Sequence, residues 1–221
     1  MEFKKFDSVD ELREPSVAAL KSFFEADMDM PYGVMLTGGD TVGEIYDRLA
    51  KIGFNVNPNL HLLLSDERHV PVSSSDSNYG FIQNLVQALN INESQVIRPD
   101  TDLPIQECAD KYHHDLANFL TKGTVPYAIL GLGADGHLAS IFSLEDMKAG
   151  EGRLAHPTYR PEGPDRISVS QKLLLMIKKI QFVSAGTSKF EIIEQLKSAP
   201  ETVVAGTVLK DAEDVSLWYC E

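Results

Sequence analysis

Short apolar runs alternate along the chain with longer stretches whose apolar residues recur at helical spacing. GVMLT (33–37), LHLLLS (60–65), YAILGLG (127–133) and Ile180 to Ala185 are short, mainly apolar runs that predict strands, and YAILGLG is apolar throughout, as burial on both faces of a sheet requires. Between them, Val42 to Ile52, Asn78 to Leu89, Ile105 to Leu120 and Lys189 to Leu196 predict helices. The second of these sets Phe81, Ile82, Leu85, Val86 and Leu89 on one face. Thr202 to Gly206 and Val215 to Tyr219 predict two final strands. This alternation predicts an α/β fold: a mostly parallel sheet with helices on both faces. Ser143 to Arg166 is rich in Gly, Pro and charge and lacks apolar periodicity, so it predicts a long loop, either bordering a site or a plain surface excursion.

The chain has 221 residues, 43% of them hydrophobic and 24% charged, which suffices for a core without metal or disulfide staples and predicts a single domain over residues 1–221. No apolar run approaches the roughly 18 residues of a membrane span. The charged N-terminus, MEFKKFDSVDELREP, predicts no secretory leader. A net charge of −13 disfavours nucleic acid and anionic membranes as partners. Any anionic ligand must therefore meet a local cluster of donors that works against the global field. Cys108 and Cys220 form no CxxC or zinc-like spacing and predict reduced thiols in a cytoplasmic protein.

In parallel α/β sheets, ligands gather at the carboxyl ends of the strands, and four candidate segments fall at such turns. The first is Leu36-Thr37-Gly38-Gly39-Asp40-Thr41. Its glycines allow close approach of backbone N–H groups to an anion at a helix N-terminus, or serve only a tight turn. Thr41 and Glu44 have capping-box spacing, and Asp40 must point away from a bound phosphate or act as the cap. The second is Ser65-Asp66-Glu67-Arg68-His69-Val70-Pro71, with Ser77-Asn78 beyond it. Arg68 offers a planar fork of donors to an anion. Asp66 is a base or a partner that holds Arg68, and the bland alternative is a solvated Asp–Arg pair. Ser77 also suits a helix N-cap.

The third segment is Gly131-Leu132-Gly133-Ala134-Asp135-Gly136-His137-Leu138-Ala139-Ser140. It matches GxGxxG, but Asp135 would repel a pyrophosphate and no acidic strand end follows at the required distance. What remains is a glycine turn presenting Asp135 and His137 together, as a general base with its orienting carboxylate requires. The fourth pairs Arg166-Ile167-Ser168 with Gly186-Thr187-Ser188-Lys189. Lys189 opens a helix, where the dipole disfavours a cation, and so hints at an anionic ligand. Ser188 and Glu191 have the spacing of a second capping box. There is no GxSxG elbow, no GxxxxGK[ST] loop, and no HExxH or Cys/His metal set. His113 and His114 are adjacent on a predicted helix and diverge too far to share a ligand.

In this order, LTGGDT, DERHVP with SN, GLGADGHLASIF, RISVS and VSAGTSKFEII resemble the 6-phosphogluconolactonase family, whose fold is shared with glucosamine-6-phosphate deaminases. The deaminases carry DEY…SY and DGHIAFNEPG. Arg68, Asn78 and Ser140-Ile141-Phe142 stand at the differing positions here and favour the lactonase branch. The resemblance implies a Rossmann-like, deaminase/isomerase-type architecture. It also implies hydrolysis of 6-phospho-D-glucono-1,5-lactone in the pentose phosphate pathway, with no metal or organic cofactor. His137 is then the base, Asp135 orients it or binds a sugar hydroxyl, and Arg68 stabilises negative charge. Gly38, Gly39, Arg166 and Lys189 hold the phosphate, with Asp40 and Thr41 in the same turn and Asp66 and Asn78 as scaffolding. The expected partner is a small sugar phosphate, and the expected state a monomer or homodimer. Amino-sugar deamination and a non-catalytic sugar-phosphate sensor are the alternatives.

Overall fold

A computed structural model of the chain describes residues 1–160 and 162–220. In chain order the elements are β1 (Glu2–Lys5), α1 (Val9–Phe24), β2 (Tyr32–Leu36), α2 (Asp40–Ile52), β3 (Leu60–Leu64) and β4 (Asp66–Arg68). Next come α3 (Asn78–Ala88), β5 (Val96–Ile97), α4 (Ile105–Leu120), β6 (Thr124–Gly131), α5 (Leu144–Ala149) and β7 (Ala155–Thr158). The last are β8 (Arg166–Val169), α6 (Gln171–Leu174), β9 (Lys179–Ala185), α7 (Phe190–Ser198), α8 (Val204–Val208) and β10 (Val215–Cys220).

A seven-stranded sheet runs β1-β10-β9-β6-β2-β3-β5, and every neighbouring pair in it is parallel. Helices cover both faces, as the continuous apolar strands require. On one face Val34, Leu36, Leu62 and Ile129 pack with Leu12, Leu20, Ile45 and Leu49 of α1 and α2. On the other, Met35, Leu63, Leu130 and Phe182 pack with Tyr112 and Leu116 of α4 and Ile193 of α7. α2 buries Val42, Ile45, Tyr46 and Leu49, a stripe with the i, i+3, i+4, i+7 spacing of an amphipathic helix. From β2 the chain builds outward through β3 to β5, and from β6 it builds the other way through β9 to β10. The connections therefore part between β2 and β6, which opens a crevice at their carboxyl ends.

Several expectations need correction. Residues 143–166 are not a structureless loop. Ser143 caps α5, its Oγ accepting from Asp146 N at 3.1 Å, and β7 pairs antiparallel with β8. Together β4, β8 and β7 form a second, three-stranded sheet. Thr202 to Gly206 is not a strand: a 3-10 turn over Pro200–Thr202 leads into α8. The β-branched pair Val203-Val204 favoured a strand, but packing wins; Ala205 N donates to Gly136 O at 2.9 Å, and Ala205 and Val208 are buried one helical turn apart. Neither capping box forms. Gly39 and Lys189 occupy the N-cap positions of α2 and α7 without side-chain caps, and Glu44 instead pairs with Arg13 at 2.7 Å. α1 and β1 lie before the first element predicted. Ser77 does cap α3, its Oγ accepting from Gly80 N at 3.0 Å.

Candidate active site

The carboxyl ends of β2, β6 and β9 open into a cleft of about 460 Å³, large enough for a small ligand. After β2, the cleft wall is Gly38, Gly39, Asp40 and Thr41. Tyr46 anchors this turn from α2: its hydroxyl accepts from Thr37 N at 3.3 Å and donates to Thr37 O at 2.9 Å. Gly39 has φ 125°, a conformation that L side chains rarely adopt. A Cβ on Gly38 would lie 2.0 Å from Asn78 Oδ1, so only glycine lets the turn and Asn78 meet. Asp40 is exposed, begins α2, and faces the cleft rather than capping the helix.

Asp66, Arg68 and Asn78 contribute the next wall. Asp66 is 6% exposed and is no surface partner of Arg68. Its oxygens accept from Ser65 Oγ at 2.6 Å and Ser140 Oγ at 2.7 Å, which ties β4 to the turn after β6. Ser140 N in turn donates to Ser168 Oγ of β8 at 3.1 Å. Asn78 Nδ2 donates to the Asp66 carbonyl at 2.9 Å. Arg68 Nη1 donates to Asp76 O at 2.6 Å. Glu67, which no spacing in the chain marks out, is 1% exposed and accepts from the backbone N–H groups of Arg68, Asn78 and Tyr79, each at 2.7 Å. Burial raises its pKa, and these three donors oppose that rise. The glutamate clasps β4 to the start of α3 and so fixes Arg68 relative to Asn78.

Arg68 and Arg166 are cross-strand partners in β4 and β8, and both face the cleft. Like charges placed opposite each other are unfavourable unless an anion joins them. Arg68 Nε and Arg166 Nη1 are buried without a hydrogen-bond partner among the described residues, so donors are left over for a ligand. Burial, with the charge of Arg68 behind it, lowers the Arg166 pKa. Lys189 lines the cleft after β9; burial lowers its pKa against the opposing charge of Asp135.

His137 stands on the turn after β6 and lines the cleft, its side chain 23% exposed. Asp135 does not line the cleft but stands beside the imidazole, with Oδ1 hydrogen-bonded to Nδ1. Burial would raise the Asp135 pKa, but the hydrogen bond and charge of His137 outweigh it and hold the carboxyl below its ordinary value. Phe142 lies against the imidazole, ring centroids 4.8 Å apart. Arg160 also lines the cleft, and its place in a stretch without periodicity leaves no mark of this in the sequence. Among the described residues, no three His, Cys, Asp or Glu side chains group as metal ligands, and no helix is long and apolar enough to cross a membrane. His113 and His114 point to separate partners, the Leu154 N–H and the Asp110 carbonyl.

The chain is similar to known proteins along most of its length. A 6-phosphogluconolactonase of Haemophilus influenzae is 28% identical over 205 residues, covering 88% of this chain and 86% of that protein. One from Thermotoga maritima is 35% identical over 170 residues, covering 76% of each. The crystal structure of a Thermotoga maritima 6-phosphogluconolactonase superposes with a TM-score of 0.81 at 27% identity, covering 100% of this chain and 99% of that one. Residues 7–218 match the family described as glucosamine-6-phosphate isomerases/6-phosphogluconolactonase, and the chain belongs to that family.

Proposed function

We propose that the protein hydrolyses 6-phospho-D-glucono-1,5-lactone to 6-phospho-D-gluconate, the lactone-opening step of the pentose phosphate pathway. The observation that carries this reading is the Asp135–His137 hydrogen bond, which holds His137 at a cleft that it shares with the Gly38-Gly39 turn and the Arg68–Arg166 pair. With Asp135 ionised, its bond to Nδ1 places the ring proton there and leaves Nε2 as the proton acceptor. Nε2 takes a proton from water as that water attacks the lactone carbonyl carbon. The tetrahedral intermediate collapses as the imidazolium returns the proton to the departing ring oxygen, giving the open-chain carboxylic acid. Backbone N–H groups at Gly38-Gly39, with Arg166 and Lys189, hold the phosphate and so fix the carbonyl against His137. Arg68 stabilises negative charge on the phosphate or on the developing oxyanion. Asp66 and Asn78 keep these walls in register.

The residues after His137 also support the lactonase branch over deamination, since Ser140-Ile141-Phe142 follow His137-Leu138-Ala139 where the deaminases place Phe-Asn-Glu. The test is an assay with fresh 6-phosphogluconolactone, corrected for spontaneous hydrolysis, run beside glucosamine 6-phosphate. Acid release from the lactone without ammonia release from the amino sugar is the expected result. Ammonia release, or saturable binding of the lactone without turnover, would overturn it.

A further inference from the structure

Arg160 comes from the segment after β7, well outside the glycine turn that carries His137, yet it touches two of that residue's neighbours. Its Nη2 lies 3.5 Å from Asp135 Oδ2, the oxygen that His137 leaves free. Its guanidinium also covers the Phe142 ring at 4.8 Å, and that ring lies 4.8 Å from the imidazole. Asp135 is thus held at both oxygens, by Nδ1 of His137 at one and by Arg160 at the other. We propose that Arg160 is a positioning residue that acts on His137 through Asp135 and Phe142, fixing the carboxylate plane and limiting how strongly Asp135 favours the protonated imidazole. The inference rests on the reading of His137 as the base.

The side chain of Arg160 is 40% exposed, and an ion pair of that kind contributes little to stability. An exposed aliphatic or amide side chain would serve there equally well if only packing mattered. A planar cation can lie on an aromatic ring and meet a carboxylate edge together, and lysine cannot match that geometry. The charged groups around His137 are Asp135 on its own turn, Arg160 from the 159–165 segment, and Lys189 after β9, whose charge reaches Asp135. Asp40, Asp66, Arg68 and Arg166 line the same cleft from α2, β4 and β8. Of these cations, Arg160 alone has a hydrogen bond to Asp135 among the described residues. Removing it takes a positive charge from near the imidazole and leaves Asp135 less neutralised. Both charge effects favour imidazolium and set the expected direction.

The test uses wild type, R160Q, R160K, D135N and D135N/R160Q. In R160Q, the acid limb of kcat/KM moves to higher pH by about 0.5 unit, a fraction of the ~1–3 units a direct charged neighbour produces. Below the limb this is about a threefold loss, with the thermal midpoint unchanged. R160K, which keeps the charge without the planar fork, moves the limb in the same direction by less than R160Q does, and the R160Q shift largely disappears in the D135N background. The imidazole titration is also followed by NMR in the ligand-free protein, its resonance assigned by its absence from H137Q. Its midpoint rises in R160Q by the same amount. A higher KM with an unmoved limb would make Arg160 a substrate-gripping side chain and overturn the proposal, as would an unmoved imidazole midpoint. If wild type fails to open the lactone, the functional reading falls, and the NMR midpoint still decides the role of Arg160.

Discussion

A Cβ on Gly133 would lie 2.1 Å from His137 Nδ1 and 2.5 Å from Asp135 Oδ1. The Asp–His pair therefore rests on bare backbone, and the glycine is required by close approach. Gly131, the other glycine of the same short motif, has open space around it. The pattern GxG was visible in the sequence, but only the structure tells which glycine the imidazole needs. G133A should keep the fold and displace the ring. Since a misplacement of about 1 Å costs on the order of a hundredfold in rate, its kcat should fall by about that factor with an unchanged circular dichroism spectrum. An active G133A would mean that the imidazole position is not critical. Asp135 and His137 were legible because they sit two residues apart on one turn. The Ser140–Asp66 bond joins residues 74 positions apart and left no local trace.

The small sheet of β4, β8 and β7 carries Arg68 and Arg166 to the cleft, and its far strand buries His156 at 1% exposure. Neither ring nitrogen of His156 has a hydrogen-bond partner among the described residues. Burial lowers its pKa, with the nearby Asp146 backbone pulling the other way. An unfolded histidine takes a proton near pH 6.5, while the folded one resists it to lower pH. The unfolded chain therefore binds more protons in that window. His156 contributes its full stability above about pH 6.5 and loses it as pH falls toward the folded value, at no more than about 1.4 kcal/mol per pH unit. Urea midpoints measured from pH 7.5 to 5.5 should fall more steeply for wild type than for H156Q, and parallel curves would remove His156 as the cause. This sheet was not legible in the sequence for physical reasons. Its strands are short, and β7 reads Ala-His-Pro-Thr, in which buried polar residues mask the apolar signal. The six residues of α5 are too few to show periodicity, although Ser143 and Asp146 carried a cap signature. The long parallel strands and α2, α3 and α4 were legible because burial on one or both faces writes itself into every turn.

The whole molecule sets a cleft lined by Arg68, Arg160, Arg166 and Lys189 into a chain of net charge −13, so an anion entering it would be held by short-range donors and not by the overall field. The sheet order parts the connections between β2 and β6, and the turns after those two strands supply the glycine pair and the Asp–His pair. Strand order was beyond the reach of the sequence, because pairing between distant strands is decided by the packing of both faces together. The location at strand carboxyl ends was legible, because each motif directly followed an apolar run. The proposed function rests on one imidazole acting as base beside a turn that holds an anion. It is tested most directly by steady-state hydrolysis of 6-phosphogluconolactone, corrected for spontaneous opening, in wild type and H137A with matching thermal midpoints. With His137 as the base, kcat/KM should fall on the order of 10²–10⁴-fold in H137A while the fold is retained. Near-wild-type turnover by the folded variant would contradict it.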